Sequence, residues 1–129
     1  MQPIIDCNHV HYSYHTLQGE TPALCDIHFH VDEGEFVSIV GPSGCGKSTL
    51  LSLLCGLNEP ESGTIYFKGA PITKQSRCHI GYMLQHDHLF EWRSIKKNIL
   101  LGLEIQKKIS EKTLLEADHL LKLYGLSRF

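Results

Sequence analysis

A chain of 129 residues is long enough for one domain with a real core and too short for two. Hydrophobic residues make up 42% and charged ones 20%, an ordinary balance for a folded protein, and a formal charge of −2 supplies no general attraction for nucleic acid. No apolar run approaches the roughly 18 residues of a membrane span. The start, Met1-Gln2-Pro3-Ile4-Ile5-Asp6, has neither the basic nor the apolar part of a signal peptide, so a cytosolic chain is expected.

In chain order, residues 8–14 alternate as a strand does, with Val10, Tyr12 and Tyr14 on one face. Residues 14–22 are polar, contain Gly19 and Pro22, and read as a loop. Residues 24–31 alternate again, with Ile27, Phe29 and Val31 on the same side. Asp32-Glu33-Gly34-Glu35 is a turn cluster. It leads into Phe36-Val37-Ser38-Ile39-Val40, a nearly continuous apolar run of the kind a buried parallel strand shows.

Beyond it, Thr49-Leu50-Leu51-Ser52-Leu53-Leu54 is helix-forming, Gly56 suits a helix stop, and residues 58–63 form a loop. Residues 64–67 read as a strand, 68–71 as a turn, and 79–84 as a further strand. The spacing of Ile95, Ile99 and Leu103 predicts a helix over 95–105. Ser110 with Glu111 opens another to Tyr124, stopped by Gly125, with Leu114, Leu115, Leu121 and Leu123 as its apolar side.

The richest segment is Gly41-Pro42-Ser43-Gly44-Cys45-Gly46-Lys47-Ser48-Thr49, which satisfies G-x-x-x-x-G-K-[ST] at every fixed position. An apolar run before it and a helix after it complete the strand–loop–helix setting. Glycines allow backbone N–H groups to turn inward around a triphosphate, and a helix start adds its positive dipole end. Lys47 is expected to reach the β- and γ-phosphates, and the Ser48 hydroxyl to complete the shell of a Mg²⁺ ion. ATP and Mg²⁺ are thus the expected ligands. A glycine-rich turn that binds nothing is the bland alternative.

Five cysteines, Cys7, Cys25, Cys45, Cys55 and Cys78, are odd in number and widely spaced, and fit reduced thiols, some of them buried. Cys45 lies inside the phosphate loop, where bound ATP is expected to slow its alkylation. Nine histidines include the i, i+2 pairs His9/His11, His28/His30 and His86/His88. Without a companion cluster at recognised ligand spacing, they read first as ordinary histidines and second as an adventitious metal site.

The phosphate loop alone is shared by many enzymes. Three further segments narrow the field: Ala23-Leu24-x-Asp26-Ile27-x-Phe29-x-Val31-x-x-Gly34-Glu35, then Glu61-Ser62-Gly63-Thr64-Ile65-Tyr66-Phe67-Lys68-Gly69, then His79-Ile80-Gly81-Tyr82-Met83-Leu84-Gln85. Together these closely resemble the ATP-binding subunits of ABC transporters over essentially the whole chain. The resemblance implies an α/β phosphate-loop fold of ABC type, cut short. It would have an antiparallel β layer, a partial parallel core sheet and the start of a helical subdomain. The division implied is a nucleotide-binding core over 1–85 and the subdomain start over 86–129.

It also implies roles. Tyr14 stands where the family stacks an aromatic on adenine, with Tyr12 as a weaker candidate and core filling as the alternative. Gln85 falls at the family's Q-loop, positioning Mg²⁺ and the attacking water. Residues 86–94 would receive the membrane-spanning permease, with Phe90 and Trp92 as an exposed contact patch or as subdomain packing. Leu89 to Arg93 and Asn98-Ile99-x-Leu101-Gly102-Leu103-Glu104 look like the nitrate, sulfonate and taurine importer branch. A second ATP-binding subunit, arranged head to tail, would be a partner, and the protein would sit at the inner face of the cell membrane through its permease.

The 129 residues contain no Leu-Ser-Gly-Gly-Gln-type signature, no Walker B strand ending in acid with a catalytic Glu, and no switch His. The expectation is therefore about half of an ATPase domain, unable to hydrolyse ATP alone, with an exposed apolar sheet edge. Two other readings stay open: a stand-alone nucleotide-binding module without hydrolysis, and another phosphate-loop enzyme such as a small-molecule kinase.

Overall fold

Alternation of β-branched and aromatic residues with polar ones builds a long hairpin from β1 (Ile5–Thr16) and β2 (Gly19–Val31). The computed structural model describes residues 3–73, 80–86 and 88–128. They divide into two compact units, the boundary falling between Met83 and Leu84.

In the first unit the elements are β1, β2, helix α1 (Lys47–Leu54), β3 (Ser62–Phe67) and β4 (Ala70–Pro71). The strands form one sheet of order β2-β1-β3-β4, and every pairing is antiparallel. The segment over 14–22 is not a loop. Both strands run on to Thr16 and Gly19, which pair directly, leaving only Leu17 and Gln18 as the turn. The Thr16 hydroxyl accepts from Gln18 N and donates to the Gly19 carbonyl, a local side-chain turn that stands in for a longer loop.

Bulges alter the expected faces of β1. Between Cys7/Phe29 and Val10/Ile27 one extra residue enters β1, and between Val10/Ile27 and Tyr12/Leu24 one enters β2. His9 and Asp26 sit at these bulges with φ of 50° and 54°. Simple alternation is lost, and Cys7, Val10 and Ser13 are the buried residues of β1. Gly63 fits opposite the β1 bulge because it lacks a side chain: a Cβ there would lie 2.2 Å from the His9 carbonyl oxygen.

The core of this unit joins Cys7, Val10 and Leu24 from the hairpin, Leu50, Leu53 and Leu54 from α1, and Ile65 from β3. Helix α1 ends as its sequence predicts. Gly56 adopts φ 67°, its N–H bonds Leu53 O at 2.9 Å, and Leu57 N bonds Ser52 O at 2.9 Å, the paired closure of a Schellman motif.

Two expected strands are absent among the described residues. Phe36 to Val40 joins no ladder, and its side chains are open, Phe36 being 96% and Val40 91% exposed. Its apolar pattern is that of a strand buried between parallel neighbours, and all strand pairs described here are antiparallel and made without it. Residues 80–84 are likewise irregular, while His79 lies outside the described residues. Among the described residues the antiparallel layer is thus formed and no parallel strand pair is.

The second unit holds α2 (Ile95–Ile105) and α3 (Glu111–Leu123). Ser94 caps α2 by accepting from Lys97 N, and Ser110 with Thr113 forms a reciprocal capping box on α3. Leu100, Ala117 and Leu121 are the buried residues, and Lys96 pairs with Asp118 across the two helices at 2.6 Å. The inward side of α3 thus runs through Leu114, Ala117 and Leu121; Leu115 and Leu123, also expected there, are each 65% exposed. On a 3.6-residue period the small Ala117 completes the stripe that those two leucines miss.

Candidate functional site

Three helices begin among the described residues, and α1 begins differently from the others. Its N-cap is Gly46 at φ 95°, with no side-chain cap and no acid in the first turn. The first-turn N–H groups of a helix have no intrahelical partner, so this end presents uncapped donors and the positive end of the dipole. Just before it, Cys45 N bonds Pro42 O at 3.4 Å to close the loop, and Gly44 takes φ 79°.

The loop is packed tightly onto β2. A Cβ on Gly46 would lie 2.6 Å from the Ala23 carbonyl oxygen and 2.9 Å from Leu24 Cδ2, so only glycine fits. Lys47 lays its ammonium across the loop, donating to Gly41 O at 2.8 Å and Pro42 O at 2.6 Å, with Cys45 Sγ 3.6 Å away. Gly41, Pro42, Ser43, Gly44, Cys45 and Ser48 are exposed. The rim offered to solvent is thus backbone donors, one ammonium and the Ser48 hydroxyl, a donor set that fits a phosphate chain with its Mg²⁺.

Thr49 faces the other way. It is buried, and its hydroxyl meets the Tyr14 hydroxyl at 2.9 Å. That contact, between residues 35 apart, ties the end of the β1–β2 hairpin to the first turn of α1. Tyr14 remains 44% exposed and stands edge-on to Tyr12 at 5.2 Å between centroids. Tyr14 and the first turn of α1 are therefore brought together, while Tyr12 packs against the core that α1 shares with the hairpin. No local signal announces the Thr49 partner, because strand–helix contacts of this span leave no mark on spacing.

Gln85 is exposed and belongs to the second unit. In that unit Trp92 is 80% exposed and packs its ring against Phe90 at 4.8 Å. Sequence reasoning missed what holds this segment. Asn98 accepts from Phe90 N at 2.9 Å and donates through Nδ2 to the carbonyls of Phe90, Arg93 and Ser94 at 3.1–3.2 Å. Arg93 pairs with Glu104 and donates to Lys97 O at 2.9 Å. A polar asparagine inside the predicted helix, and an arginine just before it that could reach the helix's Glu104, are the available hints.

Among the described thiols, Cys7 and Cys55 are buried and Cys25 and Cys45 exposed, all unbridged; Cys78 lies outside the described residues. Burial, with the Asp6 carboxylate adding to it, pushes the Cys7 thiol up to about 12. Burial also raises Cys55. The hydrogen bond from His9 holds Asp26 below the usual carboxylate range, and charge on His9, His11 and His28 acts in the same direction.

The family model for ABC transporters matches residues 24–129. The chain belongs to this family. It is 45% identical over 119 residues to the ABC transporter ATP-binding protein YtlC of Bacillus subtilis, covering 92% of this chain and 45% of that protein. The nitrate import ATP-binding protein NrtD of Synechocystis is 39% identical over 112 residues, covering 87% of this chain and 42% of that protein. The sulfate/thiosulfate import ATP-binding protein CysA of Synechococcus elongatus is 40% identical over 111 residues, covering 84% and 32%. This ABC chain therefore spans less than half the length of these relatives.

Among solved structures, the ATP-binding cassette MJ0796 bound to ADP and Pi superposes with a TM-score of 0.79 at 28% identity, covering 92% of this chain and 56% of that one. The fold is thus that of an ABC-type phosphate-loop cassette, as the motifs imply. No helix among the described residues is long and apolar enough to cross a membrane.

Proposed function

We propose that the chain is the ATP-binding part of an ABC importer subunit, holding Mg·ATP at residues 41–49. The observation that carries this reading is the uncapped N-terminus of α1, cradled by Gly44 and Gly46 beneath Lys47, with Tyr14 fastened beside it through Thr49. Lys47 would exchange two carbonyl contacts for phosphate oxygens, a gain in charge complementarity. Ser48 would hold Mg²⁺, and the Tyr14 ring would lie under the adenine. ATP with its Mg²⁺ supplies the phosphoryl group whose transfer drives the family's transport cycle.

Residues 1–85 then form the nucleotide-binding core, and 86–129 open the helical subdomain. Gln85 would position Mg²⁺ and water in the complete site. Trp92 and Phe90, exposed on a segment held by Asn98, suit docking of a permease, which would keep the subunit at the inner face of the membrane. A head-to-tail partner subunit would supply a signature segment. Relatives named for sulfate, thiosulfate and nitrate import favour a small oxyanion as the cargo. The 129 residues by themselves are expected to bind ATP and not turn it over, since they carry no Walker B acid or catalytic Glu.

Binding of a fluorescent ATP analogue with Mg²⁺ tests the site. Lys47→Ala should weaken it by about 1.5–3 kcal/mol, the usual loss of a charge-assisted contact. Unchanged affinity would move the nucleotide elsewhere, and phosphate release by the 129-residue chain would overturn the predicted lack of turnover.

A further inference from the structure

Beside the β1–β2 turn, three ligating side chains from three segments converge. His15 and Glu20 stand directly opposite each other in the β1–β2 ladder. Glu61 immediately precedes β3, and its N–H donates to the His11 carbonyl at 3.0 Å, which fixes its backbone to the same strand β1. His15 Nε2 contacts Glu61 Oε1, and one ligand atom from each of His15, Glu20 and Glu61 lies within 4.8 Å of the other two. All three are exposed. Their backbones are nonetheless held by ladder or strand-edge hydrogen bonds, so the set is pre-organised rather than gathered from mobile loops.

We propose that His15, Glu20 and Glu61 form a binding site for a divalent transition metal of the zinc class. One imidazole nitrogen and two carboxylates make a mixed N/O donor set, which suits Zn²⁺ or Ni²⁺ better than the all-oxygen preferences of Mg²⁺ and Ca²⁺. At Zn–ligand lengths near 2.0–2.2 Å, tetrahedral donors stand roughly 3.3–3.6 Å apart, so the three exposed side chains close by small rotations. A fourth position stays open to water. Without a cation, a single imidazole faces two carboxylates, and the excess negative charge itself favours metal entry. The ion would tie both strands of the hairpin to the start of β3. Tyr14, the residue before His15 on β1, falls on the alternate face of the strand, so the two side chains leave in opposite directions.

A second histidine group lies on the same hairpin. His9 Nδ1 meets Asp26 at 2.7 Å, His11 approaches Asp26 at 4.0 Å, and the His9 and His28 rings stack at 5.1 Å. Among the described residues no three of its ligand atoms converge as those of His15, Glu20 and Glu61 do. That group serves as the internal control.

The test is Zn²⁺ competition against a chromophoric chelator, using the full chain without nucleotide. One saturable equivalent is expected, its binding weakened by acid because the ligand nitrogen must be unprotonated. Loss even of a residue that merely supports a ligand weakens metal sites about 10–100-fold, so His15→Ala and Glu20→Gln should each cost at least tenfold. His28→Ala should cost nothing. Zn²⁺ should also raise the unfolding temperature of the parent chain and leave that of His15→Ala unmoved. Unchanged affinity in His15→Ala, equal loss in His28→Ala, or no saturable binding by the parent chain would each overturn the proposal and leave an adventitious ion only.

Discussion

Gly44 and Gly46 both hold left-handed backbone, at φ +79° and +95°, yet only Gly46 is crowded. A Cβ on Gly44 meets nothing within 4 Å, so Gly44→Ala carries only the conformational penalty, about 1–2 kcal/mol for an L-residue in this region. Gly46→Ala carries that penalty and a collision with the Ala23 carbonyl that no rotamer relieves. Ordinary contact begins at 3.4 Å, so the loop and β2 must separate by about 3.4 − 2.6 = 0.8 Å. Overpacking of this kind costs about 1–3 kcal/mol, which brings Gly46→Ala to about 2–5 kcal/mol in all. At about 4–8 °C per kcal/mol for a unit of this size, the two variants should melt roughly 4–24 °C apart. Thermal unfolding followed by circular dichroism reads the difference. Equal melting temperatures would refute the claim that the loop's approach to β2, rather than its backbone angle, is what demands glycine at Gly46.

Other expectations follow from single residues. Lys107 occupies the left-handed position after α2 at φ 54°, closing it through Lys107 N to Glu104 O and Lys108 N to Leu103 O. Lys107→Gly should therefore stabilise the chain by about 0.5–1 kcal/mol in denaturant titration. Asn98→Ala should loosen residues 90–94 at a cost of about 1–2 kcal/mol, seen as faster proteolysis there. Asn98→Asp should be worse, because a carboxylate would face the three carbonyls that the amide now serves. Cys7, buried and pushed up to about 12 from the ordinary 9.0, should resist alkylation until the protein unfolds, while Cys25 and Cys45 react at once. The folded state keeps the Cys7 proton where the unfolded state has lost it. Stability present below pH 9.0 should thus fall as pH rises toward 12, and denaturant midpoints across that range measure it.

The elements most legible in the sequence are those set by contacts within a few residues. Ser94 and Ser110 announce helix starts because a hydroxyl answers an N–H three residues on, and Gly56 and Gly125 announce helix ends because the closing residue needs positive φ. The phosphate loop is legible for the same reason. Its glycines, lysine and hydroxyl are consecutive, and the helix that follows is written in the next few residues. Such signals survive whatever the rest of the molecule does.

Tertiary contacts decided the rest. The bulges at His9 and Asp26 turn the simple alternation of β1 into a three-residue spacing of buried positions, and they arise from register against two different neighbours. Phe36 to Val40 carries the pattern of a strand, but a strand exists only when a partner accepts its hydrogen bonds, and none of the described strands does so. Tyr14 finds Thr49, and His15 and Glu20 find Glu61, across separations that no periodic pattern encodes. Local sequence determined where the loop and its helix lie and what chemistry they offer. Only the packing of the hairpin onto α1 and β3 determined which aromatic stands beside them and which side chains meet beside the β1–β2 turn.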